Sequence, residues 1–258
     1  MGDPARIFYD REYLDDEYAS PMKEGKHAFR DVVKGFVESH GLQDKRCLEI
    51  GCGRGVFQDL VGDYTGIDIS RSVGRFMHKP FLQASATELP FPENSFDAIW
   101  TITVLEHVPH PERGLEEMHR VLKPGGLLLL APAWQCRPWA ADGYPVRPYD
   151  DFNLKGKLIK ASIPLRNSVA FRASYIFPMR LARLMQYLVT KRPMNFAYRK
   201  LKPNYEKYWM SDSDAVNSMD PYEAILWFVS RGGECLNYPG GIQHLGVRNG
   251  ALVFRIDK

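Results

Sequence analysis

The feature that most narrows the fold is a short apolar stretch, Cys47-Leu48-Glu49-Ile50, running straight into Gly51-Cys52-Gly53-Arg54-Gly55. Glycines at such a strand-to-helix turn permit positive φ and close backbone approach to a ligand. The segment is neither G-x-G-x-x-G nor a Gly-Lys-Ser/Thr loop, so a nicotinamide dinucleotide or a nucleoside triphosphate fits it poorly. The next apolar stretch, 64–69, carries Asp68 near its end. A carboxylate at that place accepts hydrogen bonds from both ribose hydroxyls of a nucleoside. Glycine loop and acid-tipped second strand together point to a nucleoside cofactor.

The surrounding pattern predicts alternating strands and helices. A helix is expected over 26–40, strands over 47–50 and 64–69, and helices over 56–61 and 71–79. A weak strand follows at 81–84, a β-rich apolar strand at 96–103, and an amphipathic helix over 111–122 with Leu115, Met118, Val121 and Leu122 on one face. Lys123-Pro124-Gly125-Gly126 stops that helix, and Leu127-Leu128-Leu129-Leu130 reads as a strand buried on both faces. Such alternation means a parallel sheet covered on both sides. The rhythm fails over 134–220, except that 176–190 reads as an amphipathic basic helix. It resumes with a helix over 221–231 and strands over 234–238 and 251–256. The expected organisation is an N-terminal helical lead-in or lid (1–45), a cofactor-binding core (46–133), an inserted basic cap (134–220) and the closing helix and strands (221–258). Phe8, Tyr9, Tyr13 and Tyr18 are placed in the lid or against the sheet edge.

Five motifs resemble one family. Leu48-Glu49-Ile50-Gly51-Cys52-Gly53-Arg54-Gly55, Gly66-Ile67-Asp68-Ile69-Ser70, Leu89-Pro90-Phe91-Pro92-Glu93-Asn94-Ser95-Phe96-Asp97, Val104-Leu105-Glu106-His107-Val108 and Val121-Leu122-Lys123-Pro124-Gly125-Gly126 are similar, in order and spacing, to the class I S-adenosylmethionine-dependent methyltransferases, "methyltransferase type 11" subgroup. The resemblance implies an α/β, Rossmann-like, seven-stranded, mostly parallel sheet with helices on both faces and an antiparallel last strand. A helical or irregular cap would be inserted after the fifth strand. The cofactor implied is S-adenosyl-L-methionine. Glu49, Gly51, Cys52 and Gly53 would face its methionine part, Asp68 its ribose and Ile69 its adenine, with Thr103 completing the set. The family often has Asp-Ala after the third strand. Here the pair is Ser85-Ala86, so adenine recognition would rest more on backbone near Ala86 and Thr87.

Sulfonium methyl transfer is an in-line displacement that needs orientation, exclusion of water and, for a hydroxyl acceptor, a base. No metal is required, and none of Cys47, Cys52, Cys136 and Cys235 falls in a zinc-type spacing. His107, just past the fourth strand, has an ordinary pKa of about 6.5 that suits a general base. Structural capping is its alternative reading. Glu106 and Asp97 read as structural. Trp134, Tyr144 and Arg147, with Trp139 and Tyr149, follow the fifth strand and are candidates for the acceptor pocket. His244 is an outlying candidate.

Charge is unevenly distributed. Residues 155–210 hold thirteen Lys/Arg and one acid, Glu206, whereas the whole chain nets +3. Three readings stand: a membrane-interface helix, a phosphate-binding surface for RNA, or a cap whose charge pairs with the acidic remainder. No RNA-binding module is recognisable, and the region is heavily apolar, which argues against nucleic acid. No apolar run approaches the ~20 residues of a membrane span, and 1–6 lacks a signal pattern. The expected location is cytoplasmic, with peripheral contact on the inner membrane face. The preferred reading is O-methylation of a sugar hydroxyl on a glycan or lipid-linked saccharide. Alternatives are a small metabolite, a modified tRNA base, or a non-catalytic cofactor-binding partner subunit.

Overall fold

A computed structural model describes residues 3–15 and 27–258. Tyr18 and the start of the helix expected from residue 26 lie outside those residues. The elements in chain order are α1 (Pro4–Glu12), α2 (Arg30–Ser39), β1 (Cys47–Ile50), β2 (Tyr64–Asp68), β3 (Phe81–Gln83), β4 (Phe96–Ile102), α3 (Pro111–Val121) and β5 (Leu122–Ala131). There follow α4 (Leu154–Asn167), α5 (Val169–Thr190), β6 (Tyr198–Lys200), β7 (Asn217–Met219), α6 (Pro221–Val229), β8 (Glu234–Cys235), α7 (Gly241–Leu245) and β9 (Leu252–Ile256).

Seven strands form one sheet in the order β3-β2-β1-β4-β5-β9-β8. The first five run parallel to one another, and β9 is antiparallel to both β5 and β8. This is the Rossmann-like arrangement expected. Alternation along the strands builds two cores. Leu48, Ile50, Ile99, Leu128 and Leu130 face one side, with α3 and α6. Cys47, Tyr64, Trp100, Leu129 and Ala131 face the other, with Val33, Phe36 and Val37 of α2. Both faces are therefore buried, as a parallel sheet requires.

Several local expectations change. The helix expected over 56–61 is a single 3-10 turn, Gln58–Leu60. Gln58 is buried there, and its side chain bonds to Phe76 O and His78 N. The helix expected over 71–79 tightens to a 3-10 segment, Arg71–Phe76, with Gly74 against the Phe81 ring. Strand β5 starts at Leu122 because that residue pairs with Phe96 ahead of a bulge. The strand expected over 234–238 shortens to β8.

The connection from β5 to α6 is more ordered than its composition predicts. It holds both α4 and the 22-residue α5, where only 176–190 was expected to be helical, and the antiparallel β6–β7 pair. Ser168 ends α4 and caps α5, its hydroxyl accepting from Phe171 N. Charge pairing fixes this connection to the core. Arg180 donates to Asp220 at 2.7 Å and to Leu245 O and Val247 O, and Arg183 donates to Glu223 at 2.8 Å.

Candidate active site

The C-terminal ends of β1, β2 and β4 open onto a cavity of about 310 Å³. Ligands bind at this end of open parallel sheets, and the volume is of the order of a small-ligand site. Its floor is the glycine turn. Gly51, Gly53 and Gly55 all have positive φ, at 73°, 48° and 70°. At Gly51 the demand is steric as well, since an added Cβ would stand 2.1 Å from Cγ2 of Val104.

Two buried carboxyl groups border this floor. Asp68 Oδ2 accepts from Gly53 N at 3.1 Å, and Oδ1 accepts from Ser70 N at 2.9 Å. Burial raises the Asp68 pKa to about 6 against the pull of those amides. Glu49 accepts from the Tyr64 hydroxyl at 2.5 Å. Burial pushes its pKa up to about 8, although the bond from Tyr64 opposes that rise. An acceptor pair beside a glycine turn suits a ribose diol. Among the described residues Glu49 has no basic partner, and a buried carboxyl so placed suits a cationic amino acid moiety. The residues present thus fit S-adenosylmethionine, with Asp68 to hold the ribose and Glu49 and the turn to hold the methionine part. Cys52, Ile69, Ser85, Ala86 and Thr103 also line the cavity. Thr103 does so with φ at 52°, a left-handed conformation uncommon for a threonine. Thr87 does not line it; its hydroxyl pairs with that of Ser85 at 2.8 Å.

The opposite wall comes from the two ends of the chain's additions. Tyr9 and Tyr13 of the N-terminal segment reach the cavity. Helix α1 is fastened there by Ser70, whose hydroxyl donates to Asp10 at 2.7 Å, and by Arg54, which donates to Tyr13 O at 2.8 Å. The rest of the wall is Tyr208, Ser211, Asp212 and Asp214.

His107 sits where these surfaces meet, in the 3-10 turn Leu105–His107 after β4. Asn217 of β7 clamps that turn by donating to Leu105 O at 2.9 Å and Val108 O at 2.8 Å. Nδ1 of His107 lies 3.3 Å from Asp214 Oδ2, an ion-pair contact rather than an aligned hydrogen bond. The same Oδ2 accepts from the Tyr9 hydroxyl at 2.6 Å. Nε2 is 3.8 Å from Glu106 Oε1, which is too far for a hydrogen bond and leaves that nitrogen for a ligand. Burial disfavours the imidazolium, but the Asp214 and Glu106 carboxylates outweigh it and hold the pKa above the usual imidazole value. Glu106 itself is structural in part: Oε1 accepts from Ala133 N at 2.9 Å, while Oε2 has no hydrogen-bond partner among the described residues. Among the described residues, no group of three or more His, Cys, Asp and Glu is arranged to hold a metal ion.

The residues expected to bind the acceptor sit elsewhere. Trp134 is buried in the core, its indole donating to Gly250 O at 2.7 Å. Tyr144 stacks on Phe152 at 4.6 Å between ring centres. Arg147 pairs with Asp151 at 3.1 Å and lies against the rings of Phe152 and Trp209. His244 bonds to Tyr238 O at 2.7 Å, and burial lowers its pKa. None of the four lines the cavity, whereas Tyr208, Ser211, Asp212 and Asp214 do. Each displaced aromatic or cationic group is engaged by a partner within the cap or core. The sequence carries a signal for these lining residues. Ser211-Asp212-Ser213-Asp214 follows a long stretch, 152–205, that has no acidic residue.

Comparisons with known proteins agree with this geometry. Residues 48–130 match the sequence model of the family described as a methyltransferase domain. The chain is 31% identical over 137 residues to phthiotriol/phenolphthiotriol dimycocerosates methyltransferase 1 of Mycobacterium ulcerans, covering 46% of this chain and 51% of that protein. It is 34% identical over 138 residues to a ubiquinone/menaquinone biosynthesis C-methyltransferase of Brucella abortus, covering 50% and 46%. A fatty-acid O-methyltransferase of Mycolicibacterium smegmatis is 25% identical over 226 residues, covering 79% and 81%. The chain thus matches about half the length of the first two relatives. A solved structure of a methyltransferase from Thermotoga maritima shares the fold along the whole chain, with a TM-score of 0.51, 18% identity and 98% and 100% coverage. The chain has the class I S-adenosylmethionine-dependent methyltransferase fold, and residues 48–130 match the methyltransferase-domain model within it. The lining of the cavity fits S-adenosylmethionine as its cofactor.

Proposed function

We propose that this chain transfers a methyl group to a hydroxyl oxygen of a lipid-bearing acceptor, with His107 as the general base. The observation that carries the proposal is the His107–Asp214 contact of 3.3 Å on the wall of the cofactor cavity. Bound S-adenosylmethionine supplies an activated methyl group on a sulfonium centre. The chain's own residues do the rest. Asp214 orients the imidazole and favours its protonated form, so Nε2 can take the proton that leaves the acceptor hydroxyl. Asp212 and Ser211 present polar groups that suit an alcohol at the cavity wall. Tyr9 and Tyr13 border the cavity from the N-terminal side, and closing such a cavity to water strengthens the interactions inside it.

The lipid character is supported by relatives named for dimycocerosates and fatty acids. A lipid-linked saccharide hydroxyl falls within this class.

The test uses S-adenosylmethionine labelled in its methyl group, incubated with the pure protein and separated lipid, glycan, RNA and small-molecule fractions of a cell extract. Label in the lipid fraction supports the proposal. Label confined to RNA or to water-soluble metabolites contradicts it.

A further inference from the structure

Helices α4 and α5 are amphipathic in the wrong sense for a surface that meets only water. A surface helix ordinarily turns its apolar stripe inward and its charge outward. Here Gly156 and Ile163 are the only buried residues of α4, and Arg180 is the only one of α5. The arginines of α5 turn toward partners. Arg180 meets Asp220, Arg183 meets Glu223, and Arg172 meets Gln135. The outward side is apolar instead. Leu158 and Leu165 of α4 are each 64% exposed. Phe177, Leu181, Met185 and Leu188 recur at helical spacing on one side of α5, and all four are exposed. Exposed apolar side chains gathered on two adjoining helices mark an interaction site.

Charge selects the occupant. Lys155 at the start of α4, and Lys191 and Arg192 past the end of α5, are exposed, as are Arg199, Lys200 and Lys202 beyond them. No acidic residue occurs from 152 to 205. A second copy of this chain would bring two cationic segments together with no acid between them. An anionic lipid surface matches both the apolar side chains and the cations at their ends. No helix among the described residues is long and apolar enough to cross a membrane.

We infer that α4 and α5 seat this chain on an anionic bilayer, with the outward apolar residues in the headgroup region and the lysines and arginines at the lipid phosphates. The inference stands on the surface alone and does not require the acceptor assigned above. It also revises the charge reading: Arg180 and Arg183 pair within the protein, and the exposed cations at the ends remain for the lipid.

The test is flotation of the full chain with vesicles of phosphatidylcholine alone or mixed with phosphatidylglycerol, over a range of salt. The variant is Leu181→Glu with Met185→Glu, two exposed positions one turn apart on the outward side of α5. The unaltered chain is expected to float with the mixed vesicles at least about tenfold more than with neutral ones, and less at high salt. The double variant is expected to lose about tenfold of that binding while keeping its melting temperature and its affinity for S-adenosylhomocysteine. Equal, absent or variant-insensitive flotation overturns the inference. So does a concentration-dependent dimer that the double variant dissolves, which would assign the face to a second copy. Because no step reads methyl transfer, failure here leaves the proposed activity separately testable.

Discussion

Asp214 sets the environment of His107: its Oδ2 stands 3.3 Å from Nδ1 while accepting the Tyr9 hydroxyl at 2.6 Å. One carboxylate thus links the N-terminal helix, the far end of the insertion and the turn after β4. The proposed base is assembled from three parts of the chain, each folded for a different local reason.

Asp214→Asn is expected to move the pH dependence of methyl transfer. Burial alone would lower the His107 pKa, and Asp214 is the first of the charges that raise it. Without that charge the imidazole loses its proton at lower pH, so the ascending limb of the kcat/KM profile shifts toward acid. The plateau falls as well, because the ring loses its orienting partner. A pH–rate profile of both proteins checks this. An unshifted limb would show that His107 does not titrate in the rate-determining step.

Cofactor binding is expected to release a proton. Glu49 has a pKa of about 8 without ligand, so near neutral pH it is largely protonated. A cationic amino acid moiety beside it favours the carboxylate and expels the proton. Calorimetric titration with S-adenosylhomocysteine in two buffers of different ionisation enthalpy reads this directly. Apparent enthalpies that differ between buffers, and converge in Glu49→Gln, are the expected result. The same shift has a sign for stability. The unfolded chain gives up this proton from a pKa of 4.5 upward while the folded chain holds it until about 8. Glu49 therefore makes the ligand-free protein less stable as pH rises through that window.

Gly51→Ala is expected to cost about 1–3 kcal/mol from the left-handed backbone alone, with a further penalty from the clash with Val104. Thermal melts and cofactor affinity both report it. Adding Val104→Ala is expected to recover the steric part and leave the backbone part. Full recovery would show that φ at Gly51 imposes no strain.

Much of this was legible in local sequence, and the reasons differ by element. The β1–glycine turn–β2 unit with Asp68 follows from residue types that only one backbone path accommodates. Helix α3 follows from spacing, since Leu115, Met118 and Val121 recur on one face and Pro124 bars its continuation. The segments 56–61 and 71–79 have helix-like spacing but fold as 3-10 turns, because Gly55, Gly62 and Gly74 leave too few residues to close α-helical turns. Helix α4 has no clear sequence signature, because Pro164 lies inside it and its exposed leucines form no inward stripe. The partnership of His107 with Asp214 has no local signature. It arises only when the insertion folds back and Asn217 grips the turn at Leu105.

Asp220→Ala is expected to destabilise the fold by about 3–5 kcal/mol, because it strands a buried Arg180 without its partner. Asp220 also caps α6 by accepting from Tyr222 N at 2.8 Å. Chemical denaturation checks the magnitude. A loss below about 1 kcal/mol would mean that Arg180 is satisfied by the carbonyls of Leu245 and Val247 alone.

The most direct measurement compares methyl transfer from labelled S-adenosylmethionine in the unaltered chain and in His107→Ala, with S-adenosylhomocysteine affinity measured on both. The account predicts unchanged affinity and a fall in transfer of about 10²–10⁴-fold, the usual contribution of a general base. Transfer that survives intact in His107→Ala, with the same affinity, would contradict it.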